Sequence, residues 1–416
     1  MVYGSGRLRK PLSFGMCSVL SAVFGLFIYT VLTYSEYIKP ISMYSYVPSQ
    51  DSTLLSVFSA VIDIEDEHKV TLNVWDGTRD MDYKCCILIS NAKLVQVLAK
   101  PLDSAYEENV ISARQYRCSF SSLKGHVISV AMIPASKTCT MSEQFTNVMF
   151  PSRPKIVNSF VIYSVLTQEV RPIQLIEWLE YYKSTGVDKI YLVLQLPYAQ
   201  LMTVLSYYSR NDFLEIKELP FPLPGRSQDT VDRSFMTTMD DLIQRQLDQD
   251  KLVGTFHCRE YLRGYGYAAN IDVNEFILTE KWRVLFYFLE ETFEKTYPDA
   301  AAVKLRYVQD SHYKSNFKGK NDTERIKYKI IYIPGHVEPT RSDLVIPHTN
   351  YHVYTLPEYN GAVYHVGQCS AMWIICIRNR SPSTMKLYRS RTELERKCFA
   401  VATKLYLSAY NFKPRY

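Results

Sequence analysis

Ser159-Phe160-Val161-Ile162-Tyr163-Ser164-Val165-Leu166 is the stretch that decides the fold. Its near-continuous apolar character reads as a strand buried on both faces. Pro172 then opens a helix whose apolar positions Ile173, Ile176, Leu179 and Tyr182 recur at three-residue steps, ending near Gly186. Val187 to Leu196, with Ile190, Leu192, Val193 and Leu194, is a second buried strand. A helix from about Ala199 to Ser209 and a third strand over Phe213–Leu219 follow. Such a βαβαβ succession predicts an α/β domain, a parallel sheet with helices on its faces. No Gly-x-Gly-x-x-Gly or Walker loop follows the first strand, so a dinucleotide or ATP reading lacks its main support.

Upstream the pattern changes. From about Leu54 to Met149, short runs rich in Val, Ile, Tyr and Thr alternate with polar turns. Val70-Thr-Leu-Asn-Val-Trp75 before Asp76-Gly77 and His126-Val-Ile-Ser-Val-Ala-Met-Ile133 before Pro134 are examples. This spacing predicts a β-rich module, a small sandwich, with Pro151-Ser-Arg-Pro154 as the hinge to the next domain. Further upstream, Arg7, Arg9 and Lys10 precede an almost uncharged run over 12–34. Its length meets the roughly 20 residues needed to cross a bilayer. The basic flank places the N-terminus in the cytosol, so the chain reads as single-pass and type II, with a lipid bilayer as one partner. Tyr34, Ser35, Glu36 and Tyr37 follow the run, which is not the small-residue site of a cleaved signal peptide.

Cysteine usage agrees with a secretory setting. Beyond Cys17 in the anchor, Cys85, Cys86, Cys118, Cys139, Cys258, Cys369, Cys376 and Cys398 make an even set that favours disulfides, with pairing left open. Cys85 and Cys86 are adjacent and are expected to reach separate partners. Sequons stand at Asn321-Asp322-Thr323 and Asn379-Arg380-Ser381. The net charge of +6 is spread along the chain with no dense basic stripe among aromatics, so nucleic acid is not an expected partner. The 33 tyrosines suit a packed core or a sugar-stacking surface equally.

About a hundred residues into the α/β pattern lies Asn270-Ile271-Asp272-Val273-Asn274-Glu275-Phe276-Ile277. An apolar strand runs into two acids and an amide and then resumes. Burying that polarity is costly unless something pairs with it, and a divalent cation bearing phosphates would do so. The bland alternative is a strand end whose acids meet solvent.

These residues resemble glycosyltransferase family 92, whose members typically place a β-rich region between a membrane anchor and a GT-A catalytic domain. The resemblance runs through Ile176-Glu177-Trp178-Leu179-Glu180-Tyr181-Tyr182 and Thr185-Gly186-Val187-Asp188-Lys189-Ile190-Tyr191. Leu205-Ser-Tyr207-Tyr208, Glu215-Ile216 and Phe256-His257-Cys258 continue it. Asp272-Val-Asn-Glu275-Phe falls where the family carries Asp-Val-Asp-Glu-Phe, and Tyr328-Lys329-Ile330-Ile331 and Ala362-Val-Tyr-His365 resemble its closing segments. The match covers roughly residues 155 to 370. It implies a GT-A-like domain over 155–400, after a tail over 1–11, an anchor over 12–34, a stem over 35–53 and the β-rich module over 54–150. A C-terminal tail would occupy 401–416.

The implied reaction is transfer of a hexose, galactose by the family's pattern, from a UDP-sugar to a glycan on secreted or membrane glycoproteins in the Golgi lumen. Asp272 and Glu275 are the expected contacts to the sugar nucleotide. Asp272, Asn274 and His348 are the expected ligands of Mn²⁺ or another divalent cation, which would offset charge on departing UDP. An inverting reaction also needs a carboxylate to take the acceptor's proton. Asp310 and Glu338 lie in suitable loops, and nothing in the spacing selects either. Two departures stand out. Asn274 is neutral where the family has an acid, and His365-Val366-Gly367 replaces His-Tyr-Arg, leaving Arg341 or Arg263 as substitute cations. The alternative is therefore a catalytically inactive relative that binds glycans or partner proteins. Cys258 reads as a disulfide partner or buried thiol, Trp178 as core, His348 and His352 as a poor zinc pair, and 282–298 as an amphipathic helix on the sheet.

Overall fold

The computed structural model describes residues 55–405 apart from 79–80, 103–110, 122–124, 155, 157, 168–169, 196–198, 220–235, 280–283, 310–326, 339–344 and 367–386. The expected anchor over 12–34, both sequons, Asp310, Arg341, Cys369 and Cys376 lie outside the described residues. Among the described residues no helix is long and apolar enough to cross a membrane.

The β-rich region is a closed barrel, not the sandwich expected. Its strands are β1 (Leu55–Ile62), β2 (Lys69–Asp76), β3 (Tyr83–Ile89), β4 (Leu94–Pro101), β5 (Ser112–Ser119), β6 (Val127–Pro134) and β7 (Thr146–Met149). They pair in the order β1-β2-β5-β4-β3-β6-β7, and β7 closes on β1 in parallel, Ala60 facing Val148. The inward and outward alternation of side chains is the same in a sandwich and a barrel, so sequence alone does not separate them.

Period-two alternation also settles the cysteines. Cys85 and Cys86 are neighbours on β3, so their side chains leave opposite faces of the sheet. Cys85 joins the barrel cluster of Leu72, Val74, Ile87 and Tyr116 and bonds Cys118 on β5. Cys86 joins Ala131 and Ile133 in a separate cluster and bonds Cys139. Cys258 and Cys398 are buried free thiols.

The βαβαβ unit forms as its apolar runs require. Strands β8 (Phe160–Leu166), β9 (Lys189–Gln195) and β10 (Leu214–Leu219) pair in parallel, linked by α1 (Pro172–Ser184) and α2 (Ala199–Arg210). Every residue of β8 is buried. Pro172 sits in the first turn of α1, where its missing N–H costs nothing. The helix ends at Gly186, whose φ of +85° is the left-handed conformation that glycine tolerates best. Val187 N–H then donates to Tyr182 C=O, the six-to-one bond of a Schellman cap.

The long helix α3 (Met236–Tyr261) follows, then β11 (Tyr267–Asn270), β12 (Glu275–Leu278), α4 (Leu285–Leu289), β13 (Ala300–Gln309), β14 (Tyr328–Tyr332), β15 (His352–Thr355), β16 (Ala362–His365) and α5 (Leu387–Lys404). The nine-stranded mixed sheet runs β10-β9-β8-β11-β14-β13-β16-β12, with β15 beside β13. The helix expected over 282–298 forms, and among the described residues it is α-helical over Leu285–Leu289 and continues as a π-helix over Glu290–Thr296, with Leu285, Phe288, Leu289 and Phe293 in the sheet's core. Helix α5 crosses the expected boundary at 400, with Val401 and Ala402 buried in the sheet's core.

Helix α3 packs on both the sheet and the barrel. Gly254 lets it approach the sheet: a Cβ there would lie 2.9 Å from a Val165 methyl. Toward the barrel its contacts are polar. Trp75 Nε1–H donates to Asp250 at 3.0 Å, and the backbone N–H groups of Ile111 and Ala113 donate to Gln246 and Gln249. His257 bridges Tyr191 of the sheet and Ser59 of the barrel at 2.8 and 3.0 Å.

Candidate functional site

The acidic turn lies between β11 and β12, just past the carboxyl end of a strand parallel to β8. That end of an α/β sheet is where ligands commonly bind. The turn closes on itself. Glu275 N–H donates to Asp272 C=O at 2.9 Å, and Asp272 N–H donates to Glu275 Oε2 at 2.8 Å.

Helix α1 fixes the strand that carries Glu275. Among the described residues β12 is the last strand of the sheet and pairs only with β16, leaving one edge of backbone groups without a ladder. Trp178, Tyr181 and Tyr182, at i, i+3 and i+4 on one helical face, cover that edge. Trp178 Nε1–H and Tyr182 O–H donate to Glu275 C=O at 3.2 and 2.9 Å. Tyr181 O–H donates to Ile277 C=O at 2.7 Å, and Ile277 N–H donates to Tyr182 Oη at 3.1 Å. Trp178 is core, as expected, and also donates a hydrogen bond to the motif strand.

Two lysines that the sequence reading did not select as site residues converge on the acids. Lys251 of α3 lies 2.7 Å from Asp272 Oδ1. Lys329 of β14 lies 3.3 Å from Asp272 Oδ2 and 2.7 Å from Glu275 Oε2. Glu275 is almost fully buried at 2% side-chain exposure, whereas Asp272 at 26% and Lys251 at 37% reach solvent. Burial pushes the Asp272 carboxyl up, but the nearby ammonium groups of Lys329 and Lys251 outweigh it and hold it below the usual carboxylate range. For Glu275, burial and then the charge of Asp272 win over Lys329, and its carboxyl is raised. Burial pulls Lys329 down, yet the two carboxylates more than reverse that and keep it charged.

Asn274 faces His365 rather than the acids, its Nδ2 lying 2.8 Å from His365 Nε2. With the amide donating, Nε2 must accept, so the ring is neutral and its proton sits on Nδ1. Burial also lowers the pKa of His365. His365 Nδ1 and Asn270 Oδ1 are both buried and have no hydrogen-bond partner among the described residues. Unsatisfied buried polar atoms are uncommon, and these two flank the turn.

The remaining expected residues are placed elsewhere or outside the description. His348 sits after Pro347, its N–H donating to His336 C=O, and among the described residues it forms no three-membered group with Asp272 and Glu275. His352 is exposed, 3.8 Å from Asp299. Glu338 is exposed, with its N–H bonded to Ile346 C=O. Arg263 lies near Asp63 and Glu260 at 3.9 and 3.8 Å, not at the turn. Burial raises the Cys258 thiol well above its ordinary value, leaving it inert.

The donor set does not fit a divalent cation. Asp272 is already paired by two lysines, Glu275 is turned back onto the turn's backbone, and Asn274 is engaged with His365. Among the described residues no group of three or more His, Cys, Asp or Glu is placed to hold a metal ion. Lys329 had a signal in the sequence, since it lies in Tyr328-Lys329-Ile330-Ile331, which resembles a closing segment of the family. Lys251, in a polar helix 21 residues before Asp272, had none.

The sequence model of Glycosyltransferase family 92 matches residues 164–396, more than half of the chain. That span includes α1, Lys251, the acidic turn, Lys329 and His365. No curated protein matches the chain in sequence.

Proposed function

The chain belongs to glycosyltransferase family 92, and from that premise we propose that it is a UDP-sugar-dependent hexosyltransferase with a GT-A-type catalytic domain. The acceptor is a glycan on a secreted or membrane glycoprotein, and galactose is the first donor sugar to test. The observation that carries this reading is the position of the Asp272–Glu275 turn at the carboxyl end of β11, inside the matched span. In the reaction the acceptor hydroxyl oxygen attacks the anomeric carbon, the bond to UDP breaks, and the hydroxyl proton passes to a base.

Among the described residues Lys251 and Lys329 are the cations that pair with the turn's acids, and they suit the charge on the leaving diphosphate. The carboxylates that a divalent cation would need are instead engaged by these lysines and by the turn's own backbone. The two disulfides support placement in an oxidising compartment, the Golgi lumen, with the apolar run over 12–34 as a type II anchor. The test is to incubate the full chain in detergent with UDP-hexoses and a glycoprotein acceptor and to follow UDP release. Acceptor-dependent release is expected, and its absence with every UDP-hexose would refute catalysis. The second reading, an inactive glycan-binding relative, is favoured by one observation: Asn274 stands where the family carries an acid.

A further inference from the structure

We propose that Lys251 and Lys329 take the place of a divalent cation at the acidic turn, so that the sugar-nucleotide diphosphate binds without metal. This rests on the sugar-nucleotide reading above. A dication held by two carboxylates makes a site of zero net charge. Two ammonium groups on the same two carboxylates give the same sum, with Lys251 at 2.7 Å from Asp272 and Lys329 at 2.7 Å from Glu275. The role left to the acids is to hold the lysines rather than to ligate a metal.

The lysines also keep hydrogen-bonding capacity. An ammonium group carries three N–H donors. Lys329 uses two of them, on Asp272 and Glu275, and Lys251 uses one, on Asp272. Among the described residues the other three have no partner, and they suit the oxygens of a diphosphate, which a lysine meets as a point charge. Lys251 reaches solvent, while Lys329 is held by its two carboxylate contacts with the Tyr307 ring 6.0 Å away.

A second, independent observation points to a polar ligand at the same place. His365 Nδ1, a donor in the ring state set by Asn274, and Asn270 Oδ1, an acceptor, are buried without partners among the described residues. A ligand bearing both anionic oxygens and hydroxyl groups would satisfy one of each. A bare metal ion would satisfy neither a donor N–H nor the lysines.

The experiment is calorimetry of UDP and of uridine against the full chain in detergent, once in chelator and once in Mn²⁺. UDP is expected to bind in chelator with an affinity within about threefold of that in Mn²⁺. Lys251→Gln, chosen because its side chain reaches solvent, should weaken UDP binding about tenfold or more in chelator. It should leave uridine binding unchanged, and Lys251→Arg should restore most of the loss. A merely structural role for Lys251 would move both ligands together. UDP binding that appears only with Mn²⁺, or that ignores Lys251→Gln, overturns the proposal and leaves the transferase reading standing. No UDP binding under either condition overturns both.

Discussion

At the scale of single residues, His365 and His257 are both kept neutral, one by an amide partner and the other by burial. Asn274 keeps His365 neutral by donating to Nε2. Asn274→Asp would put a carboxylate within hydrogen-bond reach and favour the imidazolium, raising the pKa of His365 by about one unit or more. NMR titration of the ring protons reads that shift, and an unchanged midpoint would refute the contact. His257 is also held neutral, with burial as the larger cause. Burial, then the charge of Lys217, pulls its pKa down to about 3. The folded ring stays neutral while the unfolded ring protonates below about 6.5. Its stabilisation is therefore present above about 6.5 and is lost as pH falls toward 3, at about 1.4 kcal/mol per pH unit. Urea unfolding between pH 6 and 4 should show that slope, and His257→Gln should flatten it by one proton.

The acidic turn was legible at this scale, because buried polarity inside an apolar strand needs a partner. Which partner it finds was not. Lys251 and Lys329 come from elements 21 and 57 residues away from Asp272, and only the folded sheet brings them together.

At the scale of elements, the βαβαβ succession could be read because its strands are continuous apolar runs and its helix has a proline start and a glycine stop. Closure of the barrel could not, since its strands alternate as a sandwich's would. The π-helix over Glu290–Thr296 was equally hidden, because apolar spacing alone predicts an ordinary helix there. Helix α1 carries the sharpest prediction here. Its Tyr182 hydroxyl joins Glu275 C=O and Ile277 N–H on the edge of β12 that faces away from β16. Tyr182→Phe removes both bonds while keeping the ring, and should cost about 1–3 kcal/mol. Thermal unfolding measures that loss. A variant as stable as the native chain would show that water replaces the hydroxyl.

At the scale of the whole molecule, the barrel is tied together covalently and then tied to α3. The disulfides close loops of 33 and 53 residues. On the chain-entropy account each stabilises by about 4 kcal/mol. Reduction should therefore lower the unfolding temperature of the full chain markedly, as calorimetric scans with and without reductant would show. If the two scans coincide, the bridges add nothing to stability.

The face that α3 turns to the barrel lies within the family-matched span, whereas the barrel lies before it. Gln246, Gln249 and Asp250 are buried or capped there by Ile111, Ala113 and Trp75. In a related chain without the barrel those positions would face water, and selection for amide and carboxylate partners would lapse. The identity of three helical residues would then serve as a sequence marker for the presence of a neighbouring module. A chain that keeps the marker but lacks a recognisable barrel would be the place to look for a diverged one.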